Sequence, residues 1–231
     1  MNERGGTEET LPADGTLLTA RGVRTRTALL EAARRMFRSQ GYANTKIADI
    51  THEADRALGS FYTYFANKED LLEQLAEDFK AEIDGRLSAL ELTSTEPYAV
   101  IREMCAVYWT SCRDHSAELA AIFQASMIDP HFAERWREIR ADARANIAAG
   151  IRAVGRSGQA QNPEPEATAS ALGSMMDYFC YVWLVEGGEA DRRSLPDDIA
   201  VEAMARVLYR TVFAAPEPGG GPADGDEGGG A

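Results

Sequence analysis

The sequence predicts an all-α protein, with an N-terminal three-helix head containing a helix-turn-helix, followed by a larger helical body. Apolar residues recur at three- and four-residue spacing through most of the chain. The breaks fall at Pro97, Pro130, the Gly155 to Pro165 stretch and Pro196, where a helix cannot easily continue. No alternating strand pattern competes. With 231 residues, 45% of them hydrophobic and 26% charged, the chain is long enough for a sizeable core.

The elements follow in order. Residues 1–20 and 216–231 are rich in Gly, Pro and acids and are expected to be disordered tails. The head is placed at 21–68 and the body at 69–215. RTALLEAARRMFRSQGY reads as an amphipathic leading helix ended at Gly41 and Tyr42. In TKIADITHEADRALGSFYTYFANK, Thr45 can cap a short helix whose Ile47, Ile50 and Ala54 share one face. The chain breaks at Asp55 and Arg56. Asp tolerates the left-handed backbone of a sharp turn better than most residues, and a second helix is expected from Ala57 to Tyr64. Phe61 and Phe65, four apart, share its buried face, leaving Leu58, Ser60, Tyr62, Thr63 and Tyr64 to project elsewhere. Helix, tight turn and second helix in that order form a device for reading double-stranded DNA.

Asn67, followed by Glu69 and Asp70, makes a good start for the next helix, and Leu72, Leu75, Ala76, Phe79, Ile83 and Leu87 give it a long apolar seam. Joined to the head at one end and the body at the other, it is the expected lever. Further helices are expected at 97–114, 116–128, 131–155, 165–186 and 197–214.

Charge divides the chain in the same way. The overall balance is −13, yet residues 21–68 hold nine Lys or Arg against four acids. A polyanion attracts such a head and repels the body, so binding should be oriented and should weaken with salt. An Arg group such as Arg34, Arg35 and Arg38 is more often a solvated helix face, whereas Arg24 and Arg26, ahead of the first helix, could form an arm reaching phosphate or minor groove.

The run GSFYTYFANKEDLL, with the leading helix, Gly41, Tyr42 and Thr45 before it, resembles the DNA-binding module of TetR-type regulators over about residues 24–84. The resemblance implies that the helix at 57–64 enters the major groove, with Thr45, Tyr62, Tyr64 and Lys68 holding phosphates and Lys46 beside them. Leu58, Ser60 and Thr63 are then the candidates for base edges, and Gly59 permits close approach. The family usually has Gly, a small aliphatic residue and a Ser or Thr cap where this chain has Asp55, Arg56 and Ala57. Arg56 is expected to snorkel out of the small core.

The body offers Tyr108, Trp109, Cys112, Phe123, Met127, Trp136, Ile139, Met175 and Phe179, which could be core or could line a mostly apolar cavity of a few hundred Å3. The resemblance implies a small, mostly apolar effector there; few buried charges are evident to fix a polar one. ASALGSMMDYFCYVWLVEG is apolar nearly all round, so it is buried in a core or by a second subunit. For the second case, Ala171, Leu172, Tyr178 and Val182, with Met204, Val207, Leu208 and Val212 from the last helix, would form a four-helix contact across a two-fold axis. The resemblance also implies a homodimer, whose heads would sit ~34 Å apart, or a modest multiple of that, on a near-palindromic operator.

Cys105, Cys112 and Cys180 lie in apolar helical segments and read as reduced thiols, and His115 and His131 make no metal-ligand spacing with them. No cofactor or metal is expected. There is no signal sequence and no apolar run of about 20 residues, which suggests a cytoplasmic protein with no membrane partner. A small helical enzyme is disfavoured by the lack of a phosphate-cradling Gly loop, a nucleophile elbow or HExxH. By analogy the chain would be a repressor released by ligand. A ligand-dependent activator and a helical dimeric ligand-binding protein with weak or lost DNA binding are the alternatives.

Overall fold

Thr19 opens the first helix by accepting a hydrogen bond from the Gly22 amide at 3.2 Å, and Gly41, at φ 78°, closes it. The computed structural model describes residues 19–157, 164–191 and 193–213, and among them ten helices and no strand. The expected tails fall almost wholly outside the described residues. The helix α1 (Ala20–Gln40) includes Arg24 and Arg26, so these side chains project from its first turns rather than from an arm.

The head continues with α2 (Ile47–Glu53) and α3 (Leu58–Phe61). Ile50 and Ala54 are buried as their spacing predicted, with Ile47 partly buried beside them. The cap of α2 is Lys46, not Thr45. Thr45 is buried instead, its hydroxyl donating to Gly41 O at 2.8 Å, and the Asp49 carboxylate accepts from the Lys46 amide at 2.9 Å. Asp55 sits at φ 53° in the turn, the left-handed backbone its residue type tolerates. Arg56 lies outside the core and donates to Asp55 O at 2.7 Å.

Helix α3 is shorter than expected. Ala57 offers no side-chain oxygen to its orphan amides, and the chain leaves the α-helix after Phe61 through a turn closed by Tyr64 N–H to Phe61 O at 2.9 Å. Phe61 and Phe65 nevertheless stay fully buried, their ring centroids 5.6 Å apart.

In α4 (Lys68–Ser88), Asn67 caps by accepting from the Asp70 amide at 2.7 Å, and Leu71, Leu72, Leu75, Ala76 and Phe79 are buried. The body follows with α5 (Pro97–Asp114), α6 (Ser116–Ile128), α7 (Pro130–Ile139), α8 (Ala141–Arg156), α9 (Pro165–Leu184) and α10 (Asp197–Phe213). The single helix expected at 131–155 is two. Its buried residues explain the break at Arg140: Phe132 and Ile139 are seven apart, but the next, Ala148, is nine further on, off the face that a straight helix would present. Thus α7 packs on α4 and α6, whereas α8 turns to pack on α9. Helix α9 ends two residues earlier than expected, where Gly187 and Gly188 take positive φ and the Gly188 amide returns to Val182 O at 2.9 Å.

One apolar cluster runs without interruption from Leu29, Phe37 and Phe61 in the head through Leu72 and Phe79 of α4 to Trp109, Ile122 and Met204 in the body. A smaller one holds Ala148, Ile151, Ala169 and Leu172 under Leu208 and Val212. Head and body therefore share a core. No helix among the described residues is long and apolar enough to cross a membrane.

Candidate nucleic-acid interface and its link to the body

The surface of α3 and the turn after it is built by what lies beneath. Phe61 and Phe65 anchor the segment, so its other side chains are forced outward: Leu58 is 49% exposed, Tyr62 58%, and Thr63 is exposed with them. A Cβ added at Gly59 would meet nothing within 4 Å, leaving an open approach between Leu58 and Thr63. Ser60 and Tyr64 are half-buried, and Tyr64 packs against the core. An exposed leucine beside hydroxyls suits a base edge carrying a thymine methyl and hydrogen-bonding groups.

Elsewhere on the head, Arg24, Arg38, Lys46 and Arg56 are exposed. Arg26 is partly buried, its guanidinium 5.5 Å from the centre of the Phe65 ring. Two arginines of the expected cluster are committed elsewhere. Arg35 pairs with Glu53 at 2.6 Å, and Arg34 turns into the protein.

Thr45 and Lys68 occupy a different place from the one a phosphate clamp suggests. Thr45 is buried, and Lys68 Nζ donates to the carbonyls of Tyr42 and Thr45 at 2.8 and 2.9 Å while lying 4.1 Å from the centre of the Tyr42 ring. Burial, only partly offset by Glu69, lowers the Lys68 pKa. Lys68 thus ties the start of α4 to the α1–α2 loop and keeps one N–H donor free of these bonds. Tyr42 completes the knot, its hydroxyl donating to Glu69 at 3.0 Å. Burial, with Glu69 next, pushes that phenol above its ordinary range.

Helix α6 reaches the head at two points. The Tyr42 amide donates to Gln124 Oε1 at 3.1 Å, and Arg34 Nε donates to Glu118 Oε1 at 2.7 Å. Glu118 is 1% exposed, and the same oxygen faces His115 Nδ1 at 3.1 Å, while His115 Nε2 faces Glu82 of α4 at 2.7 Å. Burial would raise the Glu118 pKa, but hydrogen bonds from His115 and its own backbone amide, with the charges of His115 and Arg34, hold it below the usual carboxylate range. A polar chain from α1 through α6 to α4 thus crosses an otherwise apolar junction. Sequence reading missed it because the partners stand 84 and 33 positions apart.

In the body, eight of the nine expected pocket residues meet on the shared core. Trp109, Cys112 and Ile139 are buried, and Tyr108, Phe123, Trp136, Met175 and Phe179 pack partly buried against them. Met127, 74% exposed near the end of α6, is not among them. Partly buried charges stand beside them: Asp177 accepts from Tyr108 at 2.7 Å and pairs with Arg140 and Arg144. Arg140 and Arg144 stand four apart on the sequence, the one signal that could have flagged them. The three cysteines are free and buried, and burial pushes the Cys105 thiol up to about 12. Of the expected dimer residues, Leu172, Val182 and Met204 are already buried by their own chain, because α9 and α10 pack on α8 and α5. Ala171, Tyr178 and Val207 are exposed, and Leu208 and Val212 are partly buried under the second cluster.

Residues 29–75 match the family model described as bacterial regulatory proteins, tetR family. Over these residues the chain is similar to the helix-turn-helix module of TetR-family regulators. It is 28% identical over 139 residues to the HTH-type transcriptional regulator EthR of Mycolicibacterium smegmatis, 60% of this chain and 64% of that one. It is 35% identical over 72 residues to the HTH-type transcriptional repressor KstR2 of the same organism, 31% of this chain and 35% of that one. The chain therefore spans less than two thirds of either relative. Its fold matches a crystal structure of a TetR-family transcriptional regulator of Syntrophomonas wolfei with a TM-score of 0.69 at 19% identity, covering 82% of this chain and 95% of that one.

Proposed function

We propose that the protein is a homodimeric TetR-type transcriptional repressor of the cytoplasm that holds a near-palindromic operator and releases it when a small effector enters the body. The observation that carries this reading is the α3 surface: Leu58, Tyr62 and Thr63 stand exposed around an open Gly59 on two locked phenylalanines. Leu58, Ser60 and Thr63 are assigned to base edges; Tyr62, Tyr64, Lys46 and exposed Arg24 and Arg38 to phosphates; and Thr45 and Lys68 to holding the geometry, with Lys68 keeping one donor for phosphate. The repressor direction follows the KstR2 relative, a transcriptional repressor.

The dimer contact assigned to α9 and α10 centres on Ala171, Tyr178 and Val207, the expected residues its own chain leaves exposed. Effector release is a population shift. Two spacings of the heads exchange, and a ligand that prefers one by about 1–3 kcal/mol changes operator affinity by roughly 5- to 150-fold. The test is selection of bound duplexes from a random library by the purified protein. A palindromic consensus supports the reading; absence of enrichment, with a dimer still formed, favours a ligand-binding protein whose head has lost DNA.

A further inference from the structure

The seam of α8 with α9 carries more positive charge than its partners offset. Arg140 Nη1 and Arg144 Nη2 both reach the same oxygen of Asp177, Oδ2, at 3.1 and 3.3 Å, and the other oxygen takes the Tyr108 hydroxyl at 2.7 Å. Arg144 Nη1 donates to the Ser170 carbonyl at 2.7 Å and lies 3.5 Å from Ser174 Oγ. It rests so close to α9 that a Cβ at Gly173 would come within 2.8 Å of it. The Nε of Arg140 is buried with no hydrogen-bond partner. Two guanidiniums therefore share one carboxylate. The next nearby cation, Arg137, is paired with Glu134.

A half-buried guanidinium without a full counter-charge is costly, and burial followed by the Arg144 charge depresses the Arg140 pKa. The Asp177 and Arg144 side chains are 19% and 20% exposed and that of Arg140 29%, so solvent reaches the group. The centre of the Trp136 ring lies 5.7 Å from the Arg140 guanidinium, and Trp136, Met175 and Phe179 all pack against the same apolar cluster.

We infer that Arg140 and Arg144 form an anion subsite in the body, which takes the carboxylate of an amphipathic acid whose apolar chain lies toward Trp136, Met175 and Phe179. A planar carboxylate fits the guanidinium fork and supplies the missing negative charge, while Tyr108 keeps Asp177 in place. This rests on the effector reading above and narrows it from a mostly apolar ligand to an acid with an apolar tail.

The test is calorimetric titration of the full-length protein with straight-chain carboxylates of four to sixteen carbons, and with decyl phosphate, 1-decanol and decylamine. The expected result is binding of at least one carboxylate, absent for decanol and decylamine, with affinity falling tenfold or more in Arg140→Gln and Arg144→Gln and less in Arg140→Lys. Unchanged thermal midpoints show that the variants remain folded, and Arg140→Lys covers the case in which a neutral variant does not. Decyl phosphate binding with the same arginine dependence supports an anion subsite whose head group is a phosphate. Equal binding of decanol, arginine variants that bind as wild type, or no binding of any anion overturns the inference. Titration needs no DNA, so a parallel operator-binding assay separates the two readings: an acid that binds but leaves operator affinity unchanged would sink effector-controlled release and leave the subsite standing.

Discussion

Glu118 is the residue whose removal should be felt furthest from where it sits. The residue is 1% exposed, and its carboxylate bonds Arg34 of α1 at 2.7 Å and faces His115 at 3.1 Å. In Glu118→Ala, Arg34 is left with only Asp78 at 3.8 Å, and His115 with only Glu82. Breaking a buried pair by removing one partner costs about 3–5 kcal/mol. The Arg34 side chain, 29% exposed, can regain water, so we expect about 2–3 kcal/mol. For a chain of this size that lowers the thermal midpoint by about 4–12 °C at fixed protein concentration. The assay is a double-mutant cycle of Arg34→Ala and Glu118→Ala followed by urea unfolding. The geometry predicts a coupling of about 1 kcal/mol or more between head and body; additivity within about 0.5 kcal/mol would refute it.

Four further outcomes follow from the same geometry. Thr63→Ala should change the ranking of operator sequences in a competition assay, whereas Tyr62→Phe should weaken all of them about equally. Lys68→Met should leave the Tyr42 and Thr45 carbonyls without their donor and lower stability by about 1–3 kcal/mol in denaturant unfolding, so its effect on DNA exceeds the loss of one phosphate contact. Asp55→Val should cost about 1 kcal/mol or more and Asp55→Gly nothing, because the turn sits at φ 53°. The Glu118 hydrogen bond, then, against burial, the charges of Glu118 and Glu82 raise the His115 pKa. That stabilisation is full below about pH 6.5 and is lost as pH rises through the higher folded value, so urea midpoints should fall above pH 6.5 in the wild type and stay flatter in His115→Gln.

Much of the fold was legible because local chemistry decided it. Pro97, Pro130, Pro165 and Asn67 mark helix starts directly, and Phe61 with Phe65 fixes which side of α3 is buried. The residues Leu58, Tyr62 and Thr63 were then assigned to the surface by exclusion, and they are exposed. What sequence could not supply was long-range pairing. Thr45 looks like a cap until Lys46 takes the position, and Lys68 looks like a free cation until Tyr42 and Thr45 claim two of its donors. The break at Arg140 carries no Gly or Pro and arises because α7 and α8 bury their faces against different helices. Leu172, Val182 and Met204 look like interface residues only until α9 and α10 are seen against their own chain.

The central claim is that this acidic helical protein presents an exposed α3 surface and its basic surround to duplex DNA. Fluorescence anisotropy on a labelled duplex from its own upstream region, titrated from low to moderate salt, tests it most directly. In the proposed dimer, two heads each holding at least two phosphates predict a log–log slope of about −3.5 or steeper. Tight binding insensitive to salt, or no binding at low ionic strength, would contradict it.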